Sequence, residues 1–288
     1  MDILARRAAT TPDVTAVVDA ASGERWSYAD LDAASDATAG RLAATVGAGD
    51  HLGVLLDTRP AFVRVAFAAW RLGATLVPLH DRLTARELAA RASAADLDAV
   101  VAADDDTERA REAAGERPVA TVEDELPEAP RTIDTGGTGA RGSADWHPGD
   151  TCLLLFTSGT TGDPKAVRLT PRNLFWSAVG SAFRLGVDPG DRWFDPLSVA
   201  HMGGFAPVVR STLSGTAVVL QREFDAADAL AAMHEHDCTG VSLVPTMLDR
   251  LLDAGEFPAL RFVLLGGGAA SPELIARCER RGVPVYPT

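Results

Sequence analysis

Lysine is almost missing from this chain: Lys165 is the only one among 27 fixed basic residues in 288. Positive charge as a whole is scarce, with 40 acidic residues setting a net charge of −13. A field of that sign repels nucleic acid and anionic membrane surfaces, which excludes both as expected partners. Cysteine is scarce too. Cys152, Cys238 and Cys278 are too far apart for a disulfide framework or a zinc spacing, and read as reduced core residues. No apolar run approaches membrane-spanning length, and the start, Met1 to Arg7, is too short and charged for an export signal. The expected location is the cytoplasm. Excess acid, little lysine and many alanines suggest a cytoplasm full of salt; a GC-rich genome is the alternative source of that bias.

What is present alternates. Val14 to Asp19 reads as a strand, followed by an extended piece around Trp26. A helix capped by Ser27 or Asp30 places Leu31, Ala34, Leu42 and Val46 at helical spacing. Strands at His51–Leu56, Ala74–Leu79 and Leu97–Ala102 alternate with helices at Ala61–Leu72 and Thr84–Ala94. This predicts an α/β fold, with mostly parallel sheets flanked by helices in two packed subdomains. The expected division is a first αβ subdomain over 1–103, an acidic connection with prolines and glycines over 104–148, and a second subdomain over 149–288. The second opens with an apolar strand, Thr151 to Phe156. Later strands fall at Ala166–Thr170, Thr216–Leu220, Thr239–Val244, Arg261–Leu265 and Val283–Thr288. The chain stops there without a turn or cap, as a truncation would. A sheet edge left open at Thr288 favours association, so a homo-oligomer is one expected form.

The lone lysine closes Thr157-Ser158-Gly159-Thr160-Thr161-Gly162-Asp163-Pro164-Lys165. Hydroxyls and small glycines let backbone N–H groups gather round one anion, and the lysine adds a mobile charge. It is not a Walker A loop, because Pro164 precedes the lysine and a strand, not a helix, follows it. This loop resembles the signature of the adenylate-forming enzymes, which include acyl-CoA synthetases, peptide-synthetase adenylation domains and luciferases. Trp26 to Leu31, Arg71 to Ala74 with Val77 to Leu79, and Pro196 to Gly204 resemble further blocks of that family. Leu264 to Ala270, Cys278 and Gly282 to Thr288 are most similar to its 2-succinylbenzoate–CoA ligase branch, in menaquinone biosynthesis. Two departures stand out: Ala166 where the family has glycine, and an end before the Tyr-Gly-Met-Thr-Glu block, the remaining large-domain strands and the small C-terminal domain.

The resemblance implies an ATP-dependent acid–CoA ligase that uses Mg2+, ATP and coenzyme A on a small carboxylic acid. Lys165 and Thr160 are the implied catalytic residues. Thr157, Ser158, Gly159, Thr160, Thr161, Gly162, Lys165, Gly268, Ala269 and Ala270 would hold the nucleotide, while His201, Gly266, Gly267 and Thr288 would line the acid pocket. Taken alone, His201 reads equally as a core histidine; the surrounding block favours the pocket. His234-Glu235-His236-Asp237-Cys238 has metal-like letters but adjoins a helix end, where such residues cap, and no metal site is assigned. Another aryl or fatty acid as substrate, and a non-catalytic nucleotide-binding fragment, remain open. A serine hydrolase built on Ser198 and His201 lacks the Gly-x-Ser-x-Gly elbow.

Overall fold

The computed structural model describes residues 2–122, 144–157 and 165–288. Helix α1 (Ile3–Thr10) leads into strands β1 (Thr15–Asp19) and β2 (Arg25–Ser27), then α2 (Tyr28–Leu42). Ser27 and Asp30 cap α2 reciprocally, each side chain taking the other's backbone N–H. The helix stops at Leu42, so Val46 packs from the following turn and not from a helical position. Next come β3 (His51–Leu55), α3 (Pro60–Leu72), β4 (Thr75–Leu79), α4 (Ala85–Ala94) and β5 (Ala99–Ala102). Asp104–Asp106 forms a single tight turn into α5 (Thr107–Ala114), which is followed by β6 (Val119–Thr121). Residues 104–122 are thus structured, where a connection was expected; its remaining stretch, 123–143, lies outside the described residues. The alanines Ala110, Ala113 and Ala114 carry the buried face of α5, a weak apolar signal in an acidic run.

The second half runs β7 (Leu153–Thr157), β8 (Lys165–Leu169), α6 (Pro171–Leu185), β9 (Arg192–Asp195), α7 (Met202–Ser214) and β10 (Ala217–Leu220). It continues through α8 (Ala226–Glu235), β11 (Gly240–Leu243), α9 (Pro245–Ala254), β12 (Phe262–Leu265), α10 (Pro272–Arg280) and β13 (Val285–Pro287). Two sheets result, in the orders β13-β12-β11-β9-β10-β1-β2 and β6-β5-β3-β4-β7-β8. Among the described strands, only β1–β2 and β7–β8 pair antiparallel. The sheets do not follow a division at 103 and 149. β1 pairs with β10 and β4 with β7, so each half lends strands to the other's sheet. Among the described residues no helix is long and apolar enough to cross a membrane.

Helix α3 joins the two layers. Pro60 to Arg71 are all buried, apolar except for Arg64 and Arg71, so the helix is covered on every side, as a central helix is. One continuous core holds α3 with Leu52, Val54 and Leu76 of one sheet and Val17 and Val218 of the other. Phe62 and Trp70 both meet the Phe205 ring of α7 edge-on, at 6.1 and 5.8 Å between centroids. The Phe62→Ala substitution should cost about 3–5 kcal/mol of stability in urea unfolding. A loss below about 1 kcal/mol would show that this helix is not the packing centre.

Candidate active site

In parallel sheets the carboxyl ends of the strands collect the loops that hold ligands. Here both sheets turn such ends toward shared contacts. Thr58, beyond β3, donates its hydroxyl to the Leu197 carbonyl (2.8 Å) and accepts from the Val199 amide (3.3 Å). The loop after β9 is thereby tied to the other sheet. Gly204 in the first turn of α7 presses on that loop: a Cβ there would lie 2.5 Å from the Leu197 and Ser198 carbonyl oxygens. Only glycine permits this approach, which seats His201 as the N-cap of α7.

The His201 side chain makes no capping hydrogen bond. Its ring lies 5.4 Å from that of His80, which follows β4, with the planes at 61°. Partial burial, His80 and Arg91 together hold the His201 pKa below the ordinary histidine value. Neutral imidazoles are therefore the resting forms at neutral pH. Arg91 stacks over Phe156 at the end of β7, 5.1 Å from the ring centroid. Ser198 is occupied by a local turn, its Oγ accepting from the Ala200 amide (3.3 Å).

One residue beyond Phe156, Thr157 faces Lys165 across the antiparallel β7–β8 pair. Its hydroxyl lies 3.5 Å from the Lys165 carbonyl oxygen. Both residues are exposed, and they stand at the two feet of the loop. Ser158, Gly159, Thr160, Thr161 and Gly162 lie outside the described residues. On the larger sheet, Gly266 follows β12 and donates its amide to the Leu243 carbonyl (3.0 Å). A Cβ on Gly266 would lie 2.5 Å from Thr288 Oγ1, so these two residues touch. Gly267 sits at φ +75°, with Val244 Cγ1 2.9 Å from where a Cβ would be. A left-handed backbone and a close neighbour both demand glycine there. Gly268 and Ala269 are exposed beside them, and Ala270 packs partly into the core ahead of α10.

The metal-like letters at 234–238 are used locally. His234 Nε2 lies 3.2 Å from the Glu256 carbonyl oxygen, and the buried His236 caps α8, its own carbonyl accepting from Arg192 (2.8 Å).

Residues absent from the sequence-derived set also shape this region: Thr58, His80 and Asp195. A lone histidine directly after a buried parallel strand is the signal that could have singled out His80. Asp195 ends β9 with no exposed surface. Among the described residues its carboxyl accepts from the Leu197 amide (3.3 Å) through Oδ1, while Oδ2 has no partner. Burial drives its pKa well above the usual carboxylate range, against the pull of that amide and of Arg210.

The family model of AMP-binding enzymes matches residues 4–288 of this chain. The chain belongs to the AMP-binding enzyme family. A 2-succinylbenzoate–CoA ligase of Bacillus pumilus is 34% identical over 98% of the chain, which corresponds to 57% of that protein. Among solved structures, the o-succinylbenzoate coenzyme A synthetase of Bacillus subtilis in complex with ATP and magnesium ion matches with a TM-score of 0.87. It is 30% identical, and the match covers 99% of this chain and 58% of that one. The same enzyme with its acyl-adenylate intermediate gives a TM-score of 0.85 at 30% identity, over 99% and 57% of the two chains. The chain thus spans a little over half the length of these family members.

The Asp195 environment gives a pH test. A carboxyl whose folded pKa is raised keeps its proton in the fold and loses it on unfolding. Its stabilising effect is complete below the unfolded value of about 4 and fades as pH climbs toward the raised folded value. Asp195→Asn removes that dependence. Relative to the parent, the variant should gain stability in urea unfolding as pH rises from about 4, and a difference that stays flat with pH would refute the buried, protonated carboxyl.

Proposed function

We propose that this chain is the acid- and nucleotide-binding portion of an ATP-dependent acid–CoA ligase acting on 2-succinylbenzoate. The observation that carries the reading is the sequence's one lysine paired with Thr157 at the feet of a hydroxyl- and glycine-rich loop, in a chain of the AMP-binding family. Support for the acid comes from the named relatives, which are ligases of 2-succinylbenzoate. The acid surplus further supports work in a salt-rich cytoplasm.

The reaction begins with the acid's carboxylate attacking the α-phosphorus of ATP, which enters as its magnesium complex. Pyrophosphate leaves and an acyl-adenylate forms; the thiol of coenzyme A then displaces AMP. The attacking carboxylate is ionised at neutral pH, so no general base is needed to start. What the protein supplies is placement and compensation of charge. In this proposal Lys165 neutralises the departing pyrophosphate, with Thr157, Ser158, Gly159, Thr160, Thr161 and Gly162 cradling its oxygens. Gly268 and Ala269, exposed, with the half-buried Ala270 after them, would give the adenine a flat backbone surface. Gly266, Gly267 and Thr288 would form the floor of the acid pocket, and a neutral His201 its wall.

A thermal-shift titration tests the reading. A non-hydrolysable succinylbenzoyl-adenylate analogue should stabilise the chain by roughly 2.7 kcal/mol over the unliganded protein at a hundredfold excess over its Kd, and more than its plain benzoyl counterpart at the same concentration. Equal shifts would assign a different acid, and no shift an inert fragment. Lys165→Ala should lower ATP–pyrophosphate exchange in the complete enzyme more than tenfold, since a charge-assisted contact is worth about 1.5–3 kcal/mol. Unchanged exchange would remove Lys165 from the proposed role.

A further inference from the structure

His201 has no described hydrogen bond to its ring, and its residue is open to solvent. A side chain so placed would ordinarily sample several rotamers. One described aromatic partner restrains it, the half-buried His80 ring at 5.4 Å. His80 is itself fastened: its Nδ1 lies 2.9 Å from Asp81 Oδ1 and 3.2 Å from the Arg82 amide nitrogen. Asp81 is fixed in turn, because its carbonyl oxygen accepts from Arg109 of α5. A chain of contacts therefore runs from α5, through the end of β4, to the N-cap of α7.

We propose that His80 is a positioning residue for His201, holding that imidazole in one orientation through an edge contact anchored on Asp81. This rests on the reading of His201 as a wall of the acid pocket. The two rings come from different sheets' loops, so the contact also sets where one loop stands relative to the other. Edge-to-face pairs contribute about 0.5–1.5 kcal/mol beyond burial, which corresponds to about two- to tenfold in affinity. The charges facing the pair are Asp81, Arg82 and Arg91 around His80, and His80 and Arg91 around His201. Removing His80 takes away a neighbouring ring whose protonation would oppose that of His201, and some burial, and both changes ease protonation of His201.

Two measurements on this chain test the assignment. Calorimetry would compare the affinities of AMP and a non-hydrolysable aroyl-adenylate analogue. His80→Ala should weaken the analogue about three- to tenfold and leave AMP unchanged, while His80→Phe, which keeps an aromatic edge, should recover most of the loss. Parallel weakening of AMP, or a phenylalanine variant no better than alanine, would overturn the proposal. Nitrogen-15 spectra of the histidine rings would then follow titration of His201, whose pKa should rise in His80→Ala. An unmoved His201 titration would equally overturn it. This second readout needs no ligand, so it separates failure of the His80 assignment from failure of the acid–ligase reading, in which the parent chain would bind no analogue.

Discussion

The burial of α3 on every side is the constraint on which the rest depends. A surface helix shows one apolar stripe, whereas Pro60 to Arg71 have no face left for water. Two sheets must therefore close on it, and each buried Val or Phe adds about 1.5–3 kcal/mol toward keeping them closed. Because α3 begins just beyond β3, the loop holding Thr58 emerges between the layers. That is why Thr58 can reach Leu197 and Val199, and why loops from both sheets share one region. The candidate site is a consequence of layer packing before it is a matter of individual side chains.

Charge is organised round the same helix. Arg71, at its last turn, pairs with Asp2 of the N-terminal segment (2.8 Å) and with Asp32 and Asp36 of α2 (2.6 Å to Asp36). Its guanidinium also donates to the Asp32 carbonyl (2.9 Å). A planar fork with five donors suits such a cluster, and a lysine would satisfy fewer of these acceptors. In a chain with 40 acids, this hub gathers carboxylates that would otherwise repel one another. Desolvation and the neighbouring acids still push the Asp36 pKa up, despite Arg71.

Much of this was legible in the sequence. The strands at 15–19, 51–55, 75–79, 153–157 and 217–220 follow from short apolar or β-branched runs between turns, and the cap at Ser27 and the helix start at Thr84 from residue type. The missed elements have a shared cause. β9 is four residues, Arg192–Asp195, with charged ends, and only its sheet neighbours make it a strand. α1 and α5 are short helices rich in alanine and arginine, with little apolar signal. The exchange of strands between sheets was not legible either, since order within a parallel sheet is set by crossover packing and leaves no mark in a local window. Of the candidate site, the strands on either side of the loop and the glycines at 266–267 follow from local pattern, whereas the antiparallel pairing of Thr157 with Lys165 shows only in the structure. The His80–His201 contact shows only there too, because it joins residues 121 positions apart through two different sheets.

The single lysine gains meaning from the arginines around it. Arg71, Arg192 and Arg261 hold fixed acceptors, carboxylates or carbonyls whose geometry does not change: Arg261 grips Asp191 at 2.6 and 2.7 Å, for instance. A rigid fork serves a rigid target. A phosphate chain in reaction is a different target, since negative charge moves from the bridging oxygen to the departing group. A compact ammonium on a flexible stem can follow that charge without breaking a preset pair of hydrogen bonds, and Lys165 stands exposed at the foot of its loop with the freedom to do so. On the proposed reading, the composition that favours arginine everywhere else leaves lysine at the one position where a mobile point charge would do what a fork would not.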